Sequence, residues 1–235
     1  MAGQITGADA VLNALLSKEN IEMVLVDREK NTSEIRRLCE EQNIPLEEGS
    51  TNDLWRMSAK GHADALALVG RSPFGDLEQV LERGGTIWFF DGVTYSTNLG
   101  FAIRTAEVSG ANAVVLNVSK THEERRTIRR SSMRADRFIP VVYSTTDEIL
   151  EAVSKAKIRL IAVEDIGTHE PWEEDLSGDV VLVVGAEKEG ISEQVLAAAD
   201  ACVVLPMDGF VPSYNLQVAV SVVALEALRQ RNLQT

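Results

Sequence analysis

The feature that most restricts the fold is a repeated order of segments between residues 86 and 228. Six short runs, "TIWFFDG", "NAVVLNV", "FIPVVYS", "IRLIAVED", "DVVLVVGA" and "ACVVLPM", alternate with stretches of helical spacing. Runs that are apolar at nearly every position cannot present one face to water. They predict strands buried on both faces, in a parallel sheet with helices on either side. Helices are expected to begin near Asn98, Glu123, Thr146, Ser192 and Asn215. In such sheets ligands sit beyond the carboxyl ends of the strands, on loops that lead into helices. Three polar, glycine-containing segments fall there: "DGVTYSTNLG", "GAEKEGIS" and "PMDGFVPSYN". Three loops on one rim predict one site.

The first seventy residues are patterned differently. "GADAVLNALLSK" and "TSEIRRLCEEQNI" have helical spacing, the second with Thr32 or Ser33 as its cap, and "TNDLWRMSAKG" reads as a third helix. "IEMVLVD" and "DALALVG" read as strands. The stretch "RSPFGD" has the Ser-Pro and Gly punctuation of a linker. The expected organisation is a small α/β unit over residues 1–72 and a larger one over residues 76–235.

Charge narrows the possible partners. The net charge of −13 argues against indiscriminate coating of nucleic acid. Yet "KTHEERRTIRRSSMRADR" sets Lys120, Arg125, Arg126, Arg129, Arg130, Arg134 and Arg137 against only three acids. Such a concentration fits either a targeted polyanion contact or a solvated helix face with internal Glu–Arg pairs. Residues 1–80 hold eight cations against fourteen anions, an awkward balance for a module that grips phosphate. Cys39 and Cys202 lie far apart, as buried free thiols in a reducing compartment would. No basic-then-apolar leader opens the sequence, Met1–Thr6 being short and polar, and no apolar run approaches the ~18 residues of a membrane span. The expectation is a cytoplasmic protein without a membrane partner.

Several site chemistries drop out. No Gly-x-Gly-x-x-Gly follows a strand, which removes a conventional dinucleotide fold. Gly185 and Gly190 have the spacing of a phosphate loop, but the lysine such a loop needs is replaced by Ile191, and Glu187 and Glu189 would repel phosphate. His62, His122 and His169 are scattered without cysteine partners, so no metal is expected.

Taken together, the three rim segments resemble the SpoU/TrmH branch of the SPOUT RNA methyltransferases. The first family motif, Asn-x-Gly followed by Arg-x-Ala, reads here "DGVTYSTNLGFAIRTAEVSG". The second, Gly-x-Glu-x-x-Gly after a strand, reads "VLVVGAEKEGIS". The third, a Pro-Met, a Gly and a Ser-Leu-Asn before an apolar helix, reads "LPMDGFVPSYNLQVAVS". The motifs occur in family order and cover the chain from about residue 86 onward. The N-terminal part resembles, more weakly, the RNA-binding domain that many members carry. Three departures stand out. Tyr95-Ser96 replaces the usual Asp-Pro, Tyr214 replaces a leucine, and Arg134 stands where glycine is usual.

The resemblance implies transfer of a methyl group from S-adenosylmethionine to a ribose 2′-hydroxyl of structured RNA, ribosomal RNA fitting slightly better than transfer RNA. It also implies a homodimer whose active sites draw on both chains, and a C-terminal trefoil knot. Asn98, Arg104, Glu187, Ser213 and Asn215 would form the catalytic rim. Arg104 would either position the hydroxyl and its phosphate or accept the proton; its very high ordinary pKa favours positioning. Gly185, Gly190, Leu205, Met207 and Tyr214 would wall the adenosine, with Pro206 and Pro212 stiffening the loop. Gly100 would let the backbone approach a ligand. Arg125, Arg126, Arg129, Arg130 and Arg134 would face RNA. Asn98 as a helix cap and Glu187 as a helix-start carboxylate remain the plainer readings of those two residues. The segment Leu216–Leu228 is apolar nearly all round and is expected to be buried in the core or in a dimer interface. The competing function is a non-catalytic RNA-binding or assembly protein that keeps the fold.

Overall fold

A computed structural model describes residues 3–234; Met1 and Ala2, the first two residues of the short polar Met1–Thr6 stretch, and Thr235 lie outside the described residues. The chain divides into two compact units, Met1–Phe74 and Gly75–Thr235.

The first unit runs β1 (Gly3–Thr6), α1 (Ala8–Leu16), β2 (Ile21–Asp27), α2 (Ser33–Glu41), β3 (Leu46–Gly49), α3 (Thr51–Met57) and β4 (Ala65–Val69). Its sheet has the order β1-β4-β2-β3, with only β2 and β3 parallel. Strands β1 and β3 carry no sequence mark of their own, because four residues are too few to show a period. Thr32 sits at the N-cap of α2, but its side chain makes no cap bond; its hydroxyl accepts from Arg36 Nε at 3.1 Å. Val11, Leu15, Ile35 and Leu38 pack the two helices onto Val24, Val26, Ala65 and Ala67.

The second unit runs α4 (Leu77–Arg83), β5 (Thr86–Asp91), α5 (Ser96–Val108), β6 (Ala113–Leu116), α6 (His122–Ser131), β7 (Val141–Tyr143), α7 (Thr146–Ala156), β8 (Arg159–Val163), β9 (Val180–Gly185), α8 (Glu193–Ala198), β10 (Ala201–Val203) and α9 (Leu216–Gln234). Its six strands are all parallel, in the order β10-β8-β9-β5-β6-β7. Every residue of β5 is buried. Trp88 and Phe90 pack under α5, α6 and α9, while Ile87 and Phe89 pack under α4, α7 and α8. The two-sided burial expected from the apolar runs is therefore present. Helix α4 lies outside the expected set; its signal is a capping box, Asp76 with Gln79, ahead of a helix of only seven residues.

Chain order reverses at β5. One arm runs β5-β6-β7, and β9 lies on the other side, so Asp91 and Gly185 end up register partners at the carboxyl edge. That pairing starts the first two rim loops side by side.

One expectation needs correction. Gly100 is buried in the packing of α5 on α6: a Cβ there would stand 1.9 Å from Ser131 Oγ and 2.8 Å from the Ile128 carbonyl oxygen. The glycine permits helix approach rather than ligand approach. Helix α9 packs one face into the core, as expected, and its other face is open in the single chain. Val220, Val223, Ala224 and Ala227 are covered, whereas Val218, Val222 and Leu225 are exposed at 40%, 38% and 62%. The turn after α6 places Met133 and Arg134 at φ 55° and 70°, so an arginine occupies the left-handed conformation that glycine adopts most easily.

Candidate active site

The loop after β9 is built tightly. Ala186 and Gly190 exchange backbone hydrogen bonds of 3.1 and 2.9 Å, closing a tip of Glu187, Lys188 and Glu189. Gly185 is obligatory for this closure, since a Cβ would lie 2.0 Å from the Gly190 carbonyl carbon. Gly190 itself takes φ +68°. Two acids from neighbouring strand ends hold the exit of the loop. Glu164 Oε2 accepts from Ile191 N at 3.0 Å, and Asp91 Oδ2 accepts from Ser192 N at 2.7 Å. Asp91 is buried; its other oxygen accepts from Asn117 Nδ2 at 2.6 Å, and Asn117 Oδ1 accepts from Gly92 N at 2.8 Å. Glu164, Asp91 and Asn117 are absent from the sequence-derived site, although two of them stand directly after apolar runs, in "WFFD" and "IAVED".

The loop after β5 is held from below. Lys120 is buried, and its ammonium donates to the carbonyls of Val93 and Thr94 at 3.0 and 2.9 Å. Burial depresses its pKa, against the opposing pull of Glu124 and Glu187. Lys120 thus leaves the basic surface to which sequence assigned it. Asn98 lies inside the first turn of α5 rather than at its cap, which is Tyr95 without a side-chain bond. Its amide Nδ2 instead donates to Glu187 Oε1 at 2.8 Å.

The loop before α9 is tied by its own residues. The Tyr214 hydroxyl donates to the Pro206 carbonyl at 2.9 Å. Asn215 Oδ1 accepts from Gln217 N at 2.9 Å and so caps the helix, leaving its amide nitrogen free of that duty.

The loops after β9 and before α9, with Glu164 and Asp165 after β8, form a groove of about 480 Å³, and the loop after β5 does not line it. Gly185, Glu187, Gly190, Leu205, Met207, Ser213, Tyr214 and Asn215 all line it, with Val184, Leu216 and Ala219 as apolar floor. Asn98 reaches it through Glu187. Arg104 does not line it: the side chain is exposed on α5 and makes no hydrogen bond or ion pair among the described residues.

The arginines of α6 divide into two groups. Arg125 donates to the Lys120 carbonyl at 3.0 Å and lies 4.7 Å over the Tyr143 ring, while Arg129 stands 3.9 Å from Asp136. Arg126 and Arg130 are exposed and make no such contact among the described residues. Arg134 follows in the left-handed turn.

Comparison with known proteins fits this geometry. The 23S rRNA (guanosine-2'-O-)-methyltransferase RlmB of Pseudomonas putida is 31% identical over 204 residues, covering 84% of this chain and 82% of that protein. The RlmB of Xanthomonas axonopodis pv. citri is 28% identical over 239 residues, covering 97% and 96%. A crystal structure of an RNA 2'-O ribose methyltransferase superposes with a TM-score of 0.60 at 25% identity, over 98% of this chain and 89% of the other. The SpoU methyltransferase AviRb from Streptomyces viridochromogenes, in complex with AdoMet, shares the fold with a TM-score of 0.61 at 21% identity, over 98% and 91%. Residues 85–225, which hold all three rim loops, match the model of the SpoU rRNA Methylase family, and this chain belongs to that family.

Proposed function

We propose that the protein is an S-adenosylmethionine-dependent RNA methyltransferase acting on a ribose 2′-hydroxyl of ribosomal RNA. The observation that carries this reading is the convergence of Gly185, Glu187, Leu205, Met207, Ser213, Tyr214 and Asn215 on one groove from two separate loops. Two properties of the groove suit the methyl donor. The apolar floor and nearby backbone of Leu205 accept an adenosine. The lining also carries Glu164, Asp165 and Glu187 against Lys188, a negative balance that favours a cationic ligand.

When bound, the donor supplies an already activated methyl on its sulfonium. The remaining work falls to the chain. Glu187, oriented by Asn98, and Ser213 set the hydroxyl in line. Arg104 holds the flanking phosphate with its guanidinium fork.

Exposed Arg104 lies on the stripe of α5 that also shows Phe101 and Val108, next to the exposed Val218, Val222 and Leu225 of α9. A second copy of the chain covering these helices makes a homodimer, and Arg104 then serves the partner's groove. Arg125, Arg126, Arg129, Arg130 and Arg134 form the RNA-facing side, and residues 1–72 form an accessory substrate domain.

The trefoil threading of the C-terminal segment is the reading favoured by the close backbone pairing of residues 164–169 with β10. Val203 and Val204 bond to Glu164 N at 3.0 Å and to the His169 carbonyl at 2.9 Å, and Gly167 has room for no Cβ against Val203. No helix among the described residues is long and apolar enough to cross a membrane, and a cytoplasmic enzyme is the reading that fits an RNA substrate.

Isothermal calorimetry with S-adenosylmethionine tests the function, followed by mapping of 2′-O-methyl positions in ribosomal RNA from cells with and without the gene. Saturable heat and one lost methylation site are expected. RNA binding without heat from the methyl donor would favour the non-catalytic alternative.

A further inference from the structure

The wall between the methyl-donor groove and a neighbouring cavity carries a single cation. That cavity, of about 450 Å³, lies on the other side of the Ala186–Gly190 loop and is bounded by Gly92, Thr94 and Ser192. Ala186, Glu187, Lys188 and Gly190 line both hollows and divide them. We propose that Lys188 holds the phosphate on the 5′ side of the acceptor nucleotide, and so admits the RNA backbone to a site that is otherwise acidic. The inference rests on the 2′-O-methyltransferase reading and adds to it one residue that grips the substrate.

The charge balance of the two linings is lopsided. Asp91 and Glu189 line the cavity, Glu164 and Asp165 line the groove, and Glu187 lines both. Against these five carboxylates Lys188 is the one cation in either lining among the described residues. Such a balance attracts the methyl donor, whose sulfonium and ammonium outweigh its carboxylate. It opposes RNA, which brings a phosphate on each side of the ribose that must reach the donor. Lys120 gives no relief at this surface, because it is buried and its ammonium is taken by the carbonyls of Val93 and Thr94.

Lys188 is free to answer that field. It is exposed at the tip of the loop and makes no hydrogen bond or ion pair among the described residues. The backbone beneath it is fixed: Ala186 and Gly190 exchange hydrogen bonds, and Ile191 N and Ser192 N donate to Glu164 and Asp91. A fixed backbone under a flexible four-carbon stem keeps the ammonium over the wall without committing it to a protein partner. The phosphate on the 3′ side, beside the reacting hydroxyl, belongs to Arg104 in the dimer proposed above. The 5′ phosphate is the remaining charge on the same nucleotide, and a compact ammonium meets a single phosphate oxygen without the two-point fit of an arginine. The carboxylate of the methyl donor is the lesser claim on Lys188, since the acids already draw that ligand in.

The test uses the full-length protein with ribosomal RNA from a strain lacking the gene. Lys188→Met keeps most of the side chain's length and removes its charge. It should raise KM for RNA about tenfold with kcat within about threefold, because a contact made equally in ground and transition states is lost. The slope of log affinity against log salt should fall by about 0.7, the share of one phosphate contact. Lys188→Arg should recover most of the loss, and the dissociation constant of S-adenosylmethionine should stay within about twofold in both variants. In a synthetic RNA spanning the mapped site, a neutral methylphosphonate then replaces the 5′ phosphate of the acceptor nucleotide. The preceding nucleotide is 2′-deoxy to keep that linkage stable, and the same RNA with an ordinary phosphate is the reference. The replacement should cost the unsubstituted protein about tenfold in kcat/KM and the Lys188→Met protein little more. An equal cost in both proteins, or an unchanged KM in Lys188→Met, overturns the assignment. So does a Lys188→Met protein that binds S-adenosylmethionine about tenfold more weakly but 5′-methylthioadenosine as before, which would give Lys188 to the donor's carboxylate. Failure of the unsubstituted protein to bind S-adenosylmethionine would instead bring down the methyltransferase reading and the inference with it.

Discussion

The Asn98 amide donates to the Glu187 carboxylate at 2.8 Å, joining the first and second rim loops across 89 residues of chain. The bond fixes the carboxylate without neutralising it. Asn98→Ala removes the constraint and should reduce methyl transfer by about tenfold. Asn98→Asp puts a second anion against the first and should cost about a hundredfold at neutral pH, recovering partly as the pH falls and the pair takes up one proton. Steady-state kinetics across pH would separate the two. Equal losses with no pH dependence would show that charge at Glu187 is immaterial.

Arg104 is exposed and does not line its own chain's groove, and the proposed homodimer assigns it to the partner's groove. Arg104→Ala should abolish transfer while leaving S-adenosylmethionine affinity within a few fold. Co-expression of Arg104→Ala and Glu187→Gln protomers should restore about a quarter of normal activity, because about half of random dimers are mixed and each holds one complete site. A mixture as inactive as its components would place Arg104 in its own chain's site or outside the reaction.

Gly100 lets α5 and α6 touch. Gly100→Ala brings a methyl group onto Ser131 Oγ and the Ile128 carbonyl, and should destabilise the unit by about 2 kcal/mol in urea unfolding. Adding Ser131→Ala removes the nearer clash but not the backbone one, so only part of the loss should return. A neutral Gly100→Ala would mean the helices separate freely.

Glu174 holds the segment that pairs with β10 at His169, through Arg159 and through His169 at 2.7 Å. Burial alone would raise its carboxyl, but the bonds from Arg159 and His169 outweigh this and hold it below the ordinary value. A carboxyl depressed by folding adds stability above its unfolded pKa of about 4.3 and loses it as the pH drops through the lower folded value. Glu174→Gln should therefore be destabilising near neutrality, with the difference from the unsubstituted protein shrinking only below about pH 4.3. Urea midpoints at several pH values would check this; a difference constant across that range would assign the effect to packing.

The sequence pattern reaches some of these features and not others, for identifiable reasons. Strands such as "DVVLVVGA" are legible because continuous apolar runs have few other uses, and the rim loops because Gly and Pro cluster at strand ends. Lys120 and Gly100 are not legible. Nothing local shows that one lysine of a basic stretch turns inward to two carbonyls, or that Ser131 approaches from a helix thirty residues away. Strands β1 and β3 owe their existence to pairing with β4 and β2 rather than to their own residues. Long-range packing decides each of these, and it leaves no period in the chain.

The arginines of α6 provide the last expectation. Charge counting treats them alike, whereas the structure occupies Arg125 with a carbonyl and a tyrosine ring and sets Arg129 near Asp136. Arg126 and Arg130 remain exposed, with no partner among the described residues. A cation already satisfied by protein gains less from a phosphate than a free one, so the RNA contact should be carried unevenly. Arg126→Ala with Arg130→Ala should weaken RNA binding and reduce the slope of log affinity against log salt by about 1.5. Arg125→Ala should change that slope less while lowering thermal stability, because it removes the cation over Tyr143. Binding titrations over a salt series would decide it, and equal slopes in all variants would return this helix to an ordinary solvated surface.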